Sequence, residues 1–250
     1  MLRALGRQGL RSLSNLGGSV VVAARVAGHL PRLERHDVAA RLTAFGWESL
    51  PVVGATSLLI GAILVLQASL YVQRFGVQVL VGWGVGYGVL RQLGPLVAAL
   101  VFSGRVGSRN AAELAAMQTR DQLAGLAAVG VDALPAVVAP RAAAMILALV
   151  LLTLLGDVVA IAGGAAAAWV LLALEPAAFL RSLAEHCTLS DLASNVTKAA
   201  VFGNAIAAIS AHAGLSARGG AAAVGRAATD SVVRSAIAIV ALDLAVSPLY

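Results

Sequence analysis

Residues 49–71 read SLPVVGATSLLIGAILVLQASLY and contain no Asp, Glu, Lys or Arg. A helix needs about 20 predominantly apolar residues to cross the hydrocarbon core of a bilayer, and this stretch supplies them. The fold class that follows is an all-α, polytopic membrane protein. Composition agrees: across 250 residues the chain is 60% hydrophobic and 12% charged, whereas soluble domains run nearer to one quarter charged. Mean hydropathy is +0.89. The ~10-residue alternating strands of a membrane β-barrel are absent from the pattern.

Working outward, a second span is expected at about 77–103, with Arg91 inside it. The next apolar run, 142–174, is interrupted only by Asp157. At 1.5 Å per residue it would reach ~50 Å, well beyond a ~30 Å core. It therefore reads as one long bent helix or two short ones, with Gly156, Gly163 and Gly164 as bend points. A polar segment at about 175–197 precedes spans at about 198–215 and 232–248. Residues 45–250 thus form the transmembrane domain. Residues 1–44 are a basic segment carrying Arg3, Arg7, Arg11, Arg25, Arg32, Arg35 and Arg41, without the apolar core and cleavage site of a signal peptide. From about residue 20 this segment suits an interfacial amphipathic helix, broken near Pro31, in preference to a disordered tail.

The net charge is +6. In a soluble domain that would point to nucleic acid; in a polytopic membrane protein excess arginine marks cytoplasmic loops, and no nucleic-acid partner is expected. Counting 142–174 as one span places the N-terminal arginines, Arg105, Arg109, Arg120, Arg141, Arg218, Arg226 and Arg234 on one side, and Arg74, Arg181 and Lys198 on the other. The expected topology is five spans, N-terminus in and C-terminus out.

Between spans two and three lies a charged island, about 104–140. Residues 110–126 are rich in Ala, Leu, Met, Gln, Glu and Arg, all strong helix formers. Leu114, Met117, Leu123 and Leu126 make a narrow apolar stripe. Gly130 ends the helix, and Pro135 and Pro140 lead into the next span. Such a cytoplasmic helix is what an ABC permease inserts into its ATPase; a partnerless helix at the membrane surface is the alternative. In span two, Gly82 with Gly86 and Gly84 with Gly88 have GxxxG spacing, which permits close helix approach in a dimer seam or within one chain.

Signatures of catalysis are missing. Lys198 is the one lysine and no GxxxxGK[ST] loop surrounds it; no GxSxG elbow occurs. His29, His36, His186 and His212 lack metal-ligand spacing, and the single Cys187 excludes an internal disulfide. No catalytic residue, metal or cofactor site is expected in this chain.

The stretch LRQLGPLVAALVFSGRVGSRNAAELAAMQTRDQLAGLAAVGVD, 90–132, resembles the signature of the MlaE/YrbE permeases, the membrane subunits of MCE-type lipid-transport ABC systems. Lys198, Phe202-Gly203, Gly214, Gly219-Gly220, Val224-Gly225 and Asp243 extend the resemblance, so that it covers about 45–247. The resemblance implies a homodimer in a bacterial inner (cytoplasmic) membrane with an interfacial helix and five spans per copy, an ATPase subunit that binds ATP and Mg, an MCE-domain lipid-binding partner, and phospholipid as cargo. It implies Arg105, Glu113, Met117, Asp121 and Gln122 as ATPase-coupling residues, and places Arg91 and Gln92 as candidates on the lipid path. Departures are Gln92 for a family Glu, Asp121 for Glu, Ala124 for Asp, Ala133 for Pro, Ala222 for Glu, and Arg109-Asn110 for a small or apolar pair. Arg91 beside Gln92 then needs another partner, either a lipid phosphate or a carboxylate on another helix. Two alternatives stand beside the permease reading. One is a secondary transporter using Asp157 and Asp243; the other is a non-transporting anchor for an MCE protein.

Overall fold

The computed structural model of the chain describes residues 35–75 and 80–249. Every regular element among them is helical: α1 (Arg35–Phe75), α2 (Val81–Gly88), α3 (Gly94–Phe102), α4 (Ser108–Thr119), α5 (Gln122–Ala128), α6 (Ala139–Leu172), α7 (Pro176–His186), α8 (Leu189–Leu215) and α9 (Gly220–Val246). Short π-helical segments at Val89–Leu93 and Ser103–Gly107 join α2, α3 and α4, and another at Leu134–Val138 leads into α6. Among the described residues, four helical stretches are long and apolar enough to cross a membrane: Val38–Leu70, Val81–Thr119, Leu134–Leu172 and Leu189–Leu215. The expected fifth span, 232–248, falls mostly in α9, which ends at Val246, carries Arg226, Asp230, Arg234 and Asp243, and is not among those four.

Several boundaries differ from the sequence reading, each for a local reason. The interfacial helix expected from about residue 20 falls largely outside the described residues; from Arg35 onward the chain is already in α1 and continues through Pro51 without a break. The polar segment 175–197 is two helical pieces. Pro176 opens α7, as proline does where no N–H is needed, and α8 begins at Leu189 rather than near 198. The expected 110–126 helix is divided in two, because Asp121 adopts a left-handed backbone (φ +56°) between α4 and α5. Aspartate tolerates that region better than most residues. Glu113 and Asp121 therefore do not lie on one helical face.

The described chain forms two compact units. One combines the residues up to Phe45 with Ser103–Leu147 and Phe202–Ile239; the other combines Gly46–Phe102, Val240 onward and Ala148–Val201. In the second unit, Gly61 and Gly163 let α1 and α6 touch backbone to backbone. A Cβ on Gly61 would collide with the Ala160 carbonyl, and one on Gly163 would stand 2.6 Å from the Leu58 carbonyl oxygen. Gly156, Gly163 and Gly164 thus serve close approach within an unbroken α6. Beside this crossing, Val65, Val81, Val85, Val89, Ala160 and Phe179 form a buried cluster. α7 lies against α2, with Phe179 fully buried and the Ser182 hydroxyl accepting from Trp83 N–H at 3.2 Å.

In the first unit, α4 crosses α8 at Gly214, where a Cβ would stand 2.6 Å from Leu114 Cβ and 2.8 Å from the Ala111 carbonyl oxygen. Gly203 packs on the Ile146 backbone, and Gly107 on Ile206. In lipid, apolar surfaces gain little by leaving one apolar medium for another, so close van der Waals approach is what holds such crossings.

Substituting Gly61→Ala will therefore destabilise the protein by about 1–3 kcal/mol, the usual range for overpacking. Gly54→Ala, where nothing lies within 4 Å of the new methyl, will be neutral or slightly stabilising. Thermal unfolding of both variants in detergent checks the contrast.

Candidate functional site

Within the second unit, the π turn Val89–Leu93 presents Arg91 and Gln92 to carboxylates that lie about a hundred residues or more away in sequence. Arg91 Nε donates to Asp191 Oδ1 at 2.6 Å, and the guanidinium lies over the Tyr87 ring at 5.2 Å from its centroid. Asp191 Oδ2 accepts from Thr188 N–H (2.7 Å) and Thr188 Oγ1 (2.9 Å), which caps the start of α8. Gln92 Nε2 donates to Asp243 Oδ2 at 2.9 Å. Lys198, 2% exposed, donates to Asp243 Oδ1 (2.8 Å), Ser247 Oγ (2.9 Å) and the Arg91 carbonyl (2.7 Å). An ammonium has three N–H donors, and each has an acceptor here.

The carboxylate that Arg91 requires is thus Asp191. Together Arg91, Lys198, Asp191 and Asp243 balance in charge, and the amide of Gln92 occupies an oxygen that a glutamate there would repel. The cluster is closed: both Asp243 oxygens are taken. Asp157 stands apart. Its Oδ2 accepts from Asn195 Nδ2 at 2.7 Å, while Oδ1, pressed against Gly94, and Asn195 Oδ1 are buried without a donor.

The glycine pairs of α2 divide. Gly82 and Gly86 seat α7: a Cβ on Gly82 would collide with the Phe179 carbonyl, and one on Gly86 would stand 2.6 Å from Leu183 and 2.9 Å from Cys187 Sγ. Burial, with Asp191 nearby, pushes the Cys187 thiol pKa up, away from the reactive thiolate. Gly84 has nothing within 4 Å, and Gly88 meets only Leu64 side-chain atoms at ordinary distance.

Within the first unit, the island's acidic residue Glu113 is engaged by its own chain. Oε1 accepts from Arg109 Nε at 2.9 Å, and Oε2 accepts from Arg141 Nη1 at 2.8 Å. Arg141, 8% exposed at the start of α6, also approaches Asn110 Oδ1 at 3.4 Å and Met117 Sδ at 3.9 Å. Asn110 Nδ2 donates to Ser210 Oγ on α8 at 2.8 Å. This network braces α4 against α6 and α8. Arg105, Arg120, Asp121 and Gln122 are exposed instead. Below the last three, Leu123 is buried, which holds the α4–α5 turn in place. A cavity of about 460 Å³ opens beside this turn, lined by Thr119, Arg120 and the first turns of α9.

Sequence reasoning missed Asp191, Asn195 and Arg141. Asp191 carries the Thr-x-x-Asp pattern of a helix start, the one signal that marked it. Among the described residues, no group of three His, Cys, Asp or Glu is placed to hold a metal ion.

A family model described as Permease MlaE matches residues 38–249. A probable ABC transporter permease protein of Rickettsia typhi is 37% identical over 199 residues, covering 80% of this chain and 77% of the relative. A probable ABC transporter permease protein of Synechocystis is 33% identical, covering 83% and 79%. The intermembrane phospholipid transport system permease protein MlaE of Haemophilus influenzae is 29% identical, covering 96% and 89%.

Removing one partner of the buried Lys198–Asp243 pair leaves an uncompensated charge, so Lys198→Met will cost about 3–5 kcal/mol. The double variant Lys198→Met/Asp243→Leu will recover most of that loss. Unfolding midpoints in detergent test this, and a double variant no more stable than the single one contradicts the pairing.

Proposed function

Because the chain belongs to the MlaE permease family, we propose that it is the membrane permease subunit of an ABC transporter moving phospholipid, or a related lipid, between the bacterial inner membrane and an MCE-domain partner. The family match over residues 38–249 carries this reading, and the name of the Haemophilus relative supplies the lipid class. The chain works as a homodimer. The uncovered Gly84 and half-covered Gly88 supply a close-approach face for the second copy.

A separate ATPase binds ATP and Mg and docks on the turn between α4 and α5. Arg120, Asp121 and Gln122 are the exposed contacts there, with Arg105 exposed one π segment earlier. Glu113 and Met117 act behind them: the Arg141–Glu113 ion pair holds α4 so that a push on the turn moves the helix rather than bending it. Helical structure runs from Val81 to Thr119, so movement of α4 reaches Arg91 and Gln92 through the backbone. The π segments are the points where such a helix changes register. Arg91 retains donors beyond those used by Asp191 and Tyr87, and its side chain is 23% exposed, so a lipid phosphate can reach it.

Purification from the native membrane will bring down an ATPase, an MCE protein and phospholipid. Neither partner, together with uptake driven by an ion gradient, would overturn the proposal; an MCE protein without an ATPase would make the chain an anchor. The double substitution Arg120→Glu/Asp121→Asn, the asparagine chosen because it also tolerates the left-handed backbone, will lower ATPase retention by about tenfold or more, equivalent to ~1.4 kcal/mol, with an unchanged unfolding midpoint.

A further inference from the structure

The end of α8 and the first turns of α9 enclose a pocket of about 290 Å³ whose wall carries Arg218, Arg226 and Arg234. Asp230 is the acid in that wall, and it already accepts from Arg234 Nη2 at 3.2 Å. Arg218 and Arg226 are exposed, and neither makes an ion pair among the described residues. The pocket exists because its floor is built from small residues. Ala217, Ala223 and Ala227 are buried and pack around Ala115 of α4. Gly219, at φ +89°, turns the chain so that α9 starts directly beside the end of α8. Larger apolar side chains on the floor would fill the space.

The helix beyond the pocket gives the second half of the argument. Arg226, Asp230, Val233 and Ile237 follow at i, i+4, i+7 and i+11, one face of α9. Along that face, charge near the pocket gives way to apolar surface: Val233 is 54% exposed and Ile237 67% exposed. An acidic protein segment would match the arginines but gain nothing from that stripe. An amphiphile with a phosphate at one end matches both. Basic pockets at the cytoplasmic ends of membrane helices recognise anionic head groups in this way.

We infer that this pocket binds one anionic phospholipid of the cytoplasmic leaflet, with its phosphate between Arg218 and Arg226, its glycerol on the alanine floor, and an acyl chain along Val233 and Ile237. This site lies in a different compact unit from Arg91 and Gln92, and it goes beyond the transport reading, since it needs only a membrane and the orientation that puts the arginine-rich segments inside. The phosphate's single negative charge offsets half of the charge on the two arginines, and the bound lipid packs beside α4 through the shared alanine cluster.

The test uses the full-length protein in nanodiscs of mixed phosphatidylcholine and phosphatidylglycerol, with retained lipids identified by native mass spectrometry. Wild type will enrich phosphatidylglycerol over the bulk ratio. Arg218→Gln/Arg226→Gln will lose that enrichment by about fivefold for each arginine removed, following ~1 kcal/mol per basic residue at an anionic surface. Arg226→Lys, which keeps the charge, will retain part of it. Wild type in phosphatidylcholine alone, given inorganic phosphate, will show no phosphate adduct; an adduct there would overturn the lipid in favour of a free-phosphate site. Equal enrichment in wild type and the double variant, both with the same unfolding midpoint, overturns the proposal. So does a double variant that keeps its lipid but no longer retains the ATPase, because the arginines would then face protein.

Discussion

A bilayer withholds the driving force that assembles soluble proteins: an apolar helix face is as well solvated by lipid tails as by another helix. What remains is close approach and the satisfaction of polar groups that have nowhere else to go. Both appear here in concentrated form. Gly61 against the Ala160 carbonyl and Gly82 against the Phe179 carbonyl bring backbones together where one methyl would keep them apart. Lys198 brings together the π turn carrying Arg91, the helix it sits on, and the chain end at Asp243 and Ser247. An ammonium at 2% exposure is tolerable only because each of its donors is used, and that requirement fixes the positions of the three segments it joins.

The same requirement explains why the polar island is not simply polar. A charged helix at the end of a membrane span must spend some of its charge on being held. Glu113 does this, taking Arg109 on one oxygen and Arg141 on the other. The groups left facing outward, Arg120, Asp121 and Gln122, sit where the left-handed backbone at Asp121 turns the chain. The device therefore has a braced stem and a free tip. The small side chains of α8 and α9 then let α9 close over the stem through the cluster of Ala115, Ala217, Ala223 and Ala227.

Legibility in the sequence followed the range of each interaction. Residues 49–71 and the island announced themselves because apolarity and helix propensity are local sums. The division of the island at Asp121 was missed because a single left-handed residue leaves composition unchanged. The glycines of 82–88 were visible as a packing motif, yet spacing alone cannot say whether the partner helix belongs to the same chain; the Phe179 carbonyl and Leu183 decide it for Gly82 and Gly86. The carboxylate needed by Arg91 was required by charge balance but lay at Asp191, on another helix, and the Thr-x-x-Asp pattern that marks a helix start there says nothing of Arg91. Asn195 opposite Asp157 was hidden for the same reason.

The substitutions that set this chain apart from its family pattern are read best through those contacts. A glutamate at position 92 would bring a carboxylate to Asp243 Oδ2, which already shares its carboxyl group with Lys198. The amide of Gln92 donates there instead, at 2.9 Å, and the remaining charges of Arg91, Lys198, Asp191 and Asp243 cancel. Asn110, where the pattern has a small or apolar residue, is likewise not idle: it donates to Ser210 and approaches Arg141, joining α8 to the brace. A drifting chain would leave such positions unpartnered, since loss of a side chain's function removes the reason for its neighbours to match it. Here the neighbours match. At Gln92 and Asn110 the substituted side chains make satisfied contacts, and the buried cluster at Lys198 is closed and neutral with Gln92 in place; nothing in the structure explains Ala124, Ala133 or Ala222.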